Sequence, residues 1–195
     1  KDRIRILFEE QIFEKYNLKV KIDKKLSYGF LPTPHFVTKG LTIIHDEKNL
    51  VYSNKTKIYI AANNFLSFNT LKIQKLIFNN NEFNINNNTI DFFIDILNSD
   101  KNENEISFIK SKLFYKNKDN DVVFLSKIKK LNFSKNIENL YRNMKTNFEI
   151  FNLPFVLDIE NQISNKKVKM NLKSKKIRLN IDNEFEYDRK NIEGL

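Results

Sequence analysis

The feature that most constrains this chain is a change of hydrophobic period at residue 18. Before it, apolar residues recur at helical spacing, and after it they alternate with polar residues over most of the remaining length. Such alternation is typical of half-buried strands, because successive side chains of a strand point to opposite faces. Short joins of Asn, Asp and Lys, such as "NKDND" and "SNKK", separate the segments. The pattern predicts a mainly β protein whose neighbouring strands are mostly antiparallel.

Two segments predict helices. The first covers residues 2–16, and Asn17 can end it because Asn tolerates the left-handed conformation. Its apolar stripe consists of Ile4, Leu7, Phe8, Ile12 and Tyr16. A second helix is predicted near residues 89–98, where Ile90, Phe93, Ile94 and Leu97 have helical spacing.

We therefore predict an α+β fold, mainly β, built as one elongated, curved antiparallel sheet with the topology of a meander. The chain is predicted to form a single domain over residues 1–195. Its parts are the helix 2–16, a β region 18–86, the helix 89–98 and a β meander 105–187. The low-complexity stretch "NNNEFNINNN" is predicted to form a polar hairpin region.

The stretch "FLPTPHFVTKGLTI" concentrates two of the three prolines and one of the three glycines. Pro32 and Pro34 cannot donate to a strand ladder, so they predict an edge, a bulge or a break between two strands. Gly40 is predicted to lie at a bulge or at a close approach of two backbones.

Composition argues against most catalytic chemistry. The chain has no cysteine, which excludes disulfides, thiolate nucleophiles and Cys-ligated metals. Its three glycines cannot build a phosphate-binding loop. His35 and His45, the only histidines, would be about 30 Å apart on a straight strand, too far to share an ion. We expect neither a metal site, nor a cofactor, nor an enzyme.

The net charge of +10 raises the possibility of nucleic-acid binding. The charge comes mainly from Lys, which an AT-rich genome favours, and the lysines are scattered along the polar sides of the predicted strands. A nucleic-acid surface more often gathers its basic residues among stacking aromatic side chains. We therefore expect no nucleic-acid partner, and a basic nucleic-acid-binding domain stays the least favoured alternative.

The apolar side of the predicted sheet is more informative, because only two helices are available to cover it. Its candidate residues are Val20, Ile22, Ile58, Ile60, Ile73, Val168, Met170, Leu172, Ile177, Leu179 and Ile181. One interpretation is an ordinary core, closed by the sheet folding on itself. The other is a curled sheet that leaves part of this face open as a groove for acyl chains.

The order of the motifs resembles the start of the AsmA family of bacterial envelope proteins. In that family a helix and a strand precede a strand that ends in Pro-x-Pro, which Pro32 and Pro34 match here. "GLTI" and "LKIQKLIFNNNEFNI" are similar to the segments that follow, and "NFEIFNLPFVLDIE" is similar to a later strand pair. Departures are Asn17 and Lys24 at positions where glycine is common, and the missing membrane span.

The resemblance implies a periplasmic protein anchored to the inner membrane by a missing upstream segment. It also implies a role in outer-membrane assembly and a sheet similar to that of bridge-like lipid-transfer proteins, which carry phospholipid along an apolar groove. The expected partners are a phospholipid or other acyl-chain lipid, the inner membrane and outer-membrane assembly proteins. The alternative function is a closed β scaffold that influences outer-membrane protein assembly through its strand edges.

Overall fold

The computed structural model describes residues 2–23, 26–61, 72–89, 91–92, 96, 105–136, 141–162, 167–188 and 191–194. One helix, α1 (Asp2–Tyr16), precedes the strands. The strands are β1 (Lys19–Ile22), β2 (Ser27–Gly29), β3 (His35–Thr38), β4 (Leu41–His45), β5 (Lys48–Ile60), β6 (Ile73–Ile85), β7 (Ile106–Lys116), β8 (Val122–Asn136), β9 (Tyr141–Ile150), β10 (Leu153–Gln162), β11 (Lys167–Ser174), β12 (Leu179–Asp188) and β13 (Asn191–Gly194).

All of these strands belong to one open sheet. Its main path runs β1-β4-β5-β6-β7-β8-β9-β10-β11-β12-β13, and the short strands β2 and β3 attach beside β5. From β7 onward each strand pairs antiparallel with the next along the chain. The predicted mainly β fold, with one long sheet and an N-terminal helix, is therefore confirmed.

The sheet departs from the predicted antiparallel meander in two places. Near the N-terminus β1 pairs with β4 and β3 pairs with β5, and further along the chain β6 and β7 are parallel. A parallel pair needs a crossover connection, which runs through residues 86–105. The second predicted helix lies in this connection, and most of it falls outside the described residues. Within it, Asn87–Thr89 form a 3-10 turn, and Asp91, Phe92 and Ile96 are helical.

Helix α1 has the predicted bounds and packs its predicted stripe onto the sheet. Phe8, Ile12 and Tyr16 are fully buried, and the rings of Phe8 and Phe36 pack edge to face with their centroids 4.9 Å apart. Two polar contacts support this packing. The Glu9 carboxylate accepts a hydrogen bond of 2.7 Å from the Ile22 backbone N–H, and the Lys15 ammonium donates to the Ile73 carbonyl. Asn17 ends the helix with a φ of 55°, as predicted.

The prolines of this stretch lie in the connection between β2 and β3, and Gly40 lies between β3 and β4. The Leu31–Pro32 bond is cis, and the Pro34 carbonyl accepts a hydrogen bond from the Ile60 N–H at 3.2 Å. Gly40 has a φ of 81° and donates its N–H to the Asn54 carbonyl at 3.4 Å. Both predictions are confirmed, since the prolines separate two strands and Gly40 lies where two backbones meet.

The prediction of a polar hairpin in the Asn-rich stretch is wrong. Residues 79–85 continue β6, and Asn81, Phe83 and Ile85 are buried at alternate positions. Asparagine favours turns through its local hydrogen bonds, but here the alternating apolar residues decide the conformation. A second difference concerns Ile177, which lies in the turn Lys175–Arg178 rather than on a strand.

Four neighbouring strands share an irregularity at one level of the sheet. In each, two consecutive residues lie on the polar face where strict alternation would place one. The pairs are Asn54 and Lys55 in β5, Asn79 and Asn80 in β6, Ile109 and Lys110 in β7, and Lys129 and Lys130 in β8. The strand registers set these pairs side by side, and Asn80 and Lys110 have φ values of 58° and 53°. We call this line the crease.

The crease gives the sheet a direction of curvature. Each of the four strands carries one more side chain on the polar face than regular alternation would give, and the registers between them do not shift at this level. That asymmetry is expected when the apolar face is concave. The register between β8 and β9 shifts at Ile128 and Lys130, so β9 does not continue the extra residue and the crease ends there.

We expect glycine to have opposite effects at two lysines of β7. Lys110 lies in the left-handed region, where a non-glycine residue costs about 1–2 kcal/mol, so Lys110→Gly should raise the free energy of unfolding by about 0.5 kcal/mol. Lys112 is its control, two residues further along the same strand and also exposed. Lys112→Gly should lower the free energy of unfolding by about 0.5–1 kcal/mol. Urea denaturation measures both, and equal losses would contradict the crease.

The buried hydroxyl of Tyr16 generates a second prediction. Among the described residues it has no hydrogen-bond partner, and burial raises the pKa of Tyr16 above its usual value. Tyr16→Phe should therefore raise the free energy of unfolding by about 1 kcal/mol at pH 7. Above pH 10 only the unfolded wild type ionises this group, so the advantage of Phe should grow by about 1.4 kcal/mol per pH unit.

Urea denaturation at pH 7 and above pH 10 tests this expectation. Tyr28→Phe is the matched control, because the Tyr28 side chain is exposed and its change should stay within about 0.5 kcal/mol at pH 7. A less stable Tyr16→Phe protein at pH 7 would show that the hydroxyl contributes a favourable contact.

Candidate functional site

The strand registers align apolar side chains into rows that cross the sheet at right angles to the strands. One row runs Ile106, Phe133, Met144, Ile159, Met170. The next runs Phe108, Leu131, Thr146, Leu157, Leu172, Ile181. Because each register pairs residues of the same face, these rows form one apolar surface that continues from β7 to β12.

The part of this surface on β1 to β8 is closed. The side chains of Ile58, Phe78 and Phe108 have no exposed area, and Phe78 and Phe108 stack with ring centroids 4.8 Å apart. Helix α1 covers this part through Phe8, Ile12 and Tyr16, and Phe92 from the crossover meets the ring of His45. We call this part the closed core.

Exposure of the same surface increases from β9 onward. Met144 on β9 is 7 % exposed, and Ile181 on β12 is 37 % exposed. The apolar residues that are half-buried or exposed are Phe148, Phe155, Leu157, Ile159, Val168, Met170, Leu172, Leu179, Ile181 and Phe185. We call these ten residues the open face. They extend over four strands, or about 14 Å across the sheet at a spacing of about 4.8 Å.

The predicted groove residues fall into two groups. Val20, Ile22, Ile58, Ile60 and Ile73 lie in the closed core, and each is at most 7 % exposed. Val168, Met170, Leu172, Leu179 and Ile181 lie on the open face. Ile177 is exposed but lies in the turn between β11 and β12, so it belongs to neither group. The structure thus brings five of the eleven predicted residues together on the accessible surface.

Sequence reasoning missed the four open-face residues that β9 and β10 provide, and it also missed Phe185 on β12. Phe155, Leu157 and Ile159 alternate in "PFVLDIE", which is the same signal that identified the residues of β11 and β12. Phe148 and Phe155 are paired across β9 and β10, and their rings stack with centroids 5.5 Å apart. The alternation of these residues was therefore visible in the sequence. The pairing of β10 with β11, which places the residues beside those of β11, is known only from the strand register.

The opposite face of the same strands is ionic. Lys129 pairs with Glu149 at 2.7 Å, and Lys145 pairs with Asp158 at 3.3 Å. Lys167 contacts Glu184 at 3.1 Å. Such exposed pairs contribute little stability individually, but they hold lysines of this face against carboxylates.

The pKa values on this face follow from the same contacts. Lys167 donates hydrogen bonds to the carboxylates of Glu184 and Glu186, which raise the pKa of Lys167, and the same contact lowers the pKa of Glu184. A concavity of about 490 Å³ also lies here, with walls that include Asp158, Lys169 and Asp182. Its ionic lining is unsuitable for an acyl chain.

The two histidines have structural partners in different parts of the sheet. The Nδ1 atom of His35 lies 2.7 Å from the Thr33 carbonyl oxygen, and its ring stacks on Tyr59. His45 lies at the end of β4, with its Nε2 atom 3.6 Å from a carboxylate oxygen of Asp46. Within the described ranges, no three His, Cys, Asp or Glu residues are grouped in a way that could hold a metal ion.

The open face can bind by exclusion of water. Each buried methylene of a ligand would contribute about 0.8 kcal/mol, and such contacts have no preferred direction along the surface. The ten side chains of the open face are aliphatic or aromatic, and they extend over all four strands. The same face also holds the polar residues Arg142, Thr146, Asn161, Ser174 and Asn183, of which all but Asn183 are buried. An extended hydrocarbon chain fits the ten apolar side chains better than a polar ligand does.

Comparison with models of known protein families finds no match, and comparison with curated proteins finds none. None of the helices in the described part of the chain combines the length and the apolar content needed to cross a bilayer.

Proposed function

We propose that this chain binds the acyl chains of phospholipid or a similar lipid on the open face of β9 to β12. The observation that carries the proposal is the gradient of exposure along one continuous apolar surface. Ile58 on β5 has no exposed area, whereas Ile181 on β12 is 37 % exposed on the same face. Exposed apolar surface that continues a core in this way usually marks a binding site.

The chemistry of the open face supports a carrier or conduit rather than an enzyme. Its rows cross the strands, and an acyl chain lying along the row Leu157, Leu172 and Ile181 would meet an aliphatic side chain on each of β10, β11 and β12. Binding energy would then vary little with position, which is what movement along the sheet requires. This proposal involves no cofactor.

The cellular setting is part of the same proposal. The order of the helix, the Pro32 and Pro34 strand end and the later strand pairs resembles the AsmA family. On that basis we propose a periplasmic protein, anchored to the inner membrane, that takes part in outer-membrane assembly. The support is the resemblance together with a long open sheet of the kind that bridge-like lipid-transfer proteins use.

Nucleic-acid binding has less support, because several lysines of the polar face are already paired. Lys129, Lys145 and Lys167 each contact a carboxylate on a neighbouring strand. A phosphate backbone would have to displace these carboxylates and bind beside them.

Charge placed on the open face should reduce lipid uptake. In a delipidated preparation, Ile181→Asp should bind a fluorescent phospholipid about tenfold more weakly than wild type, because a buried carboxylate opposes an acyl chain. Val156→Asp is the matched control. Val156 is 39 % exposed, like Ile181, but it lies on the opposite face of β10.

Fluorescence titration measures both affinities, and thermal unfolding checks that both variants fold. Equal affinities for wild type and Ile181→Asp would contradict the proposal, as would equal losses for the two variants. Asp at Ile58 or Ile60 would not be informative, since both residues lie in the closed core and their replacement would unfold the sheet.

The edge of β12 favours a second candidate, a module that binds other proteins through strand addition. β13 pairs only with residues 185–188, and among the described strands none pairs with the outer edge of residues 179–184. An unpaired edge is a template for another strand. Mass spectrometry of gently purified protein separates the two candidates, because lipid binding requires co-purified lipid and strand addition does not.

A further inference from the structure

The hairpin tips at one end of the sheet expose large apolar side chains. The turns β7–β8, β9–β10 and β11–β12 all lie at this end, because alternate connections of an antiparallel sheet share an edge. The exposed residues at or beside these tips are Val122, Val123, Phe151 and Ile177. We call them the apolar rim. The tips follow one another at about 10 Å, twice the spacing between strands.

Phe151 is unusual in two respects, the exposure of its side chain and the left-handed conformation of its backbone. It is 87 % exposed, so its ring packs against little of the protein. It also has a φ of 49°, followed by 62° at Asn152, which is the geometry of a type I′ turn. That turn favours Asn or Gly, and a bulky residue in the left-handed region is strained. A residue that is both strained and exposed contributes little to folding, which points to a role outside the fold.

One tip of the apolar rim carries net positive charge, whereas the β7–β8 tip holds Asp119 and Asp121 beside Lys116 and Lys118. The turn between β11 and β12 contains Lys175, Lys176 and Arg178 and no acidic residue. Its field reaches the neighbouring hairpin. The hydrogen bond from Lys129 is the main reason that the pKa of Glu149 is low, and the charge of Lys176 adds to it.

We propose that the apolar rim inserts into the surface of an anionic lipid bilayer. Phe151 and Ile177 would enter the interfacial region, and the basic residues of the β11–β12 turn would lie against lipid phosphates. Each tip offers one or two apolar side chains beside charge, along a line and without a shaped pocket. This arrangement suits a fluid surface better than a protein partner, which would present a complementary shape. The inference is independent of the proposed function, since the rim and the open face share no residue.

Vesicle flotation of the 195-residue chain tests this proposal. We compare phosphatidylcholine vesicles with vesicles that also contain about 30 mol % phosphatidylglycerol. Wild type should float with the anionic vesicles and lose binding as salt is added. Phe151→Asn should bind them about tenfold more weakly, while its melting temperature stays equal or rises because Asn tolerates the turn. Replacement of both Lys175 and Lys176 by Gln should also weaken binding about tenfold.

Two controls make the result specific. Leu31→Asn removes a side chain that is 79 % exposed in the loop at the opposite end of the strands, and it should bind vesicles as wild type does. Ile181→Asp should also bind vesicles normally, so a failure of the lipid-uptake proposal and a failure of this one are distinguishable. The proposal is overturned if wild type ignores anionic vesicles, which would indicate a protein partner for the rim, or if Phe151→Asn binds as well as wild type.

Discussion

A single β-sheet has two faces, and this structure depends on how far its helices can cover the apolar one. Strand alternation commits about half of the side chains of thirteen strands to that face. Helix α1 and the helical segment of the crossover both lie toward the N-terminal strands, where Phe8, Ile12 and Phe92 complete the closed core. No comparable helix covers β9 to β12 in the described part of the chain. Exposure of the open face is the direct consequence.

The crease lies in the part of the sheet that helix α1 and the crossover cover. The closed core beneath α1 includes residues of β5 to β8, the same strands that carry the crease. Where the register shifts between β8 and β9, the extra residue is absorbed and regular pairing continues to β12. The sheet therefore has two halves. Strands β1 to β8 contain the closed core, and the regularly paired strands β9 to β12 carry the open face. Two of the three tips of the apolar rim belong to the second half, and the β7–β8 tip belongs to the first.

The sequence predicted the elements whose conformation depends on residues that are close together in the chain. The helix 2–16, the left-handed Asn17 and the close contact at Gly40 follow from period, capping and conformational freedom. The crease was missed because its residues, such as Asn54 and Asn80, lie in polar runs where one extra residue leaves no hydrophobic signal. The closure over Ile58 was also missed, since coverage by α1 is a contact between distant parts of the chain. The order of strands and the parallel pair likewise depend on partners that alternation does not specify.

Single cysteines offer the most direct test, because the chain has none of its own. The rate of maleimide labelling would be measured at Leu172→Cys, Val156→Cys and Ile58→Cys, with and without phospholipid. We expect slow labelling at position 58, faster labelling at positions 156 and 172, and protection by lipid at position 172 alone. Labelling at 172 as slow as at 58, or lipid protection that is equal at 156 and 172, would contradict an open face that holds lipid.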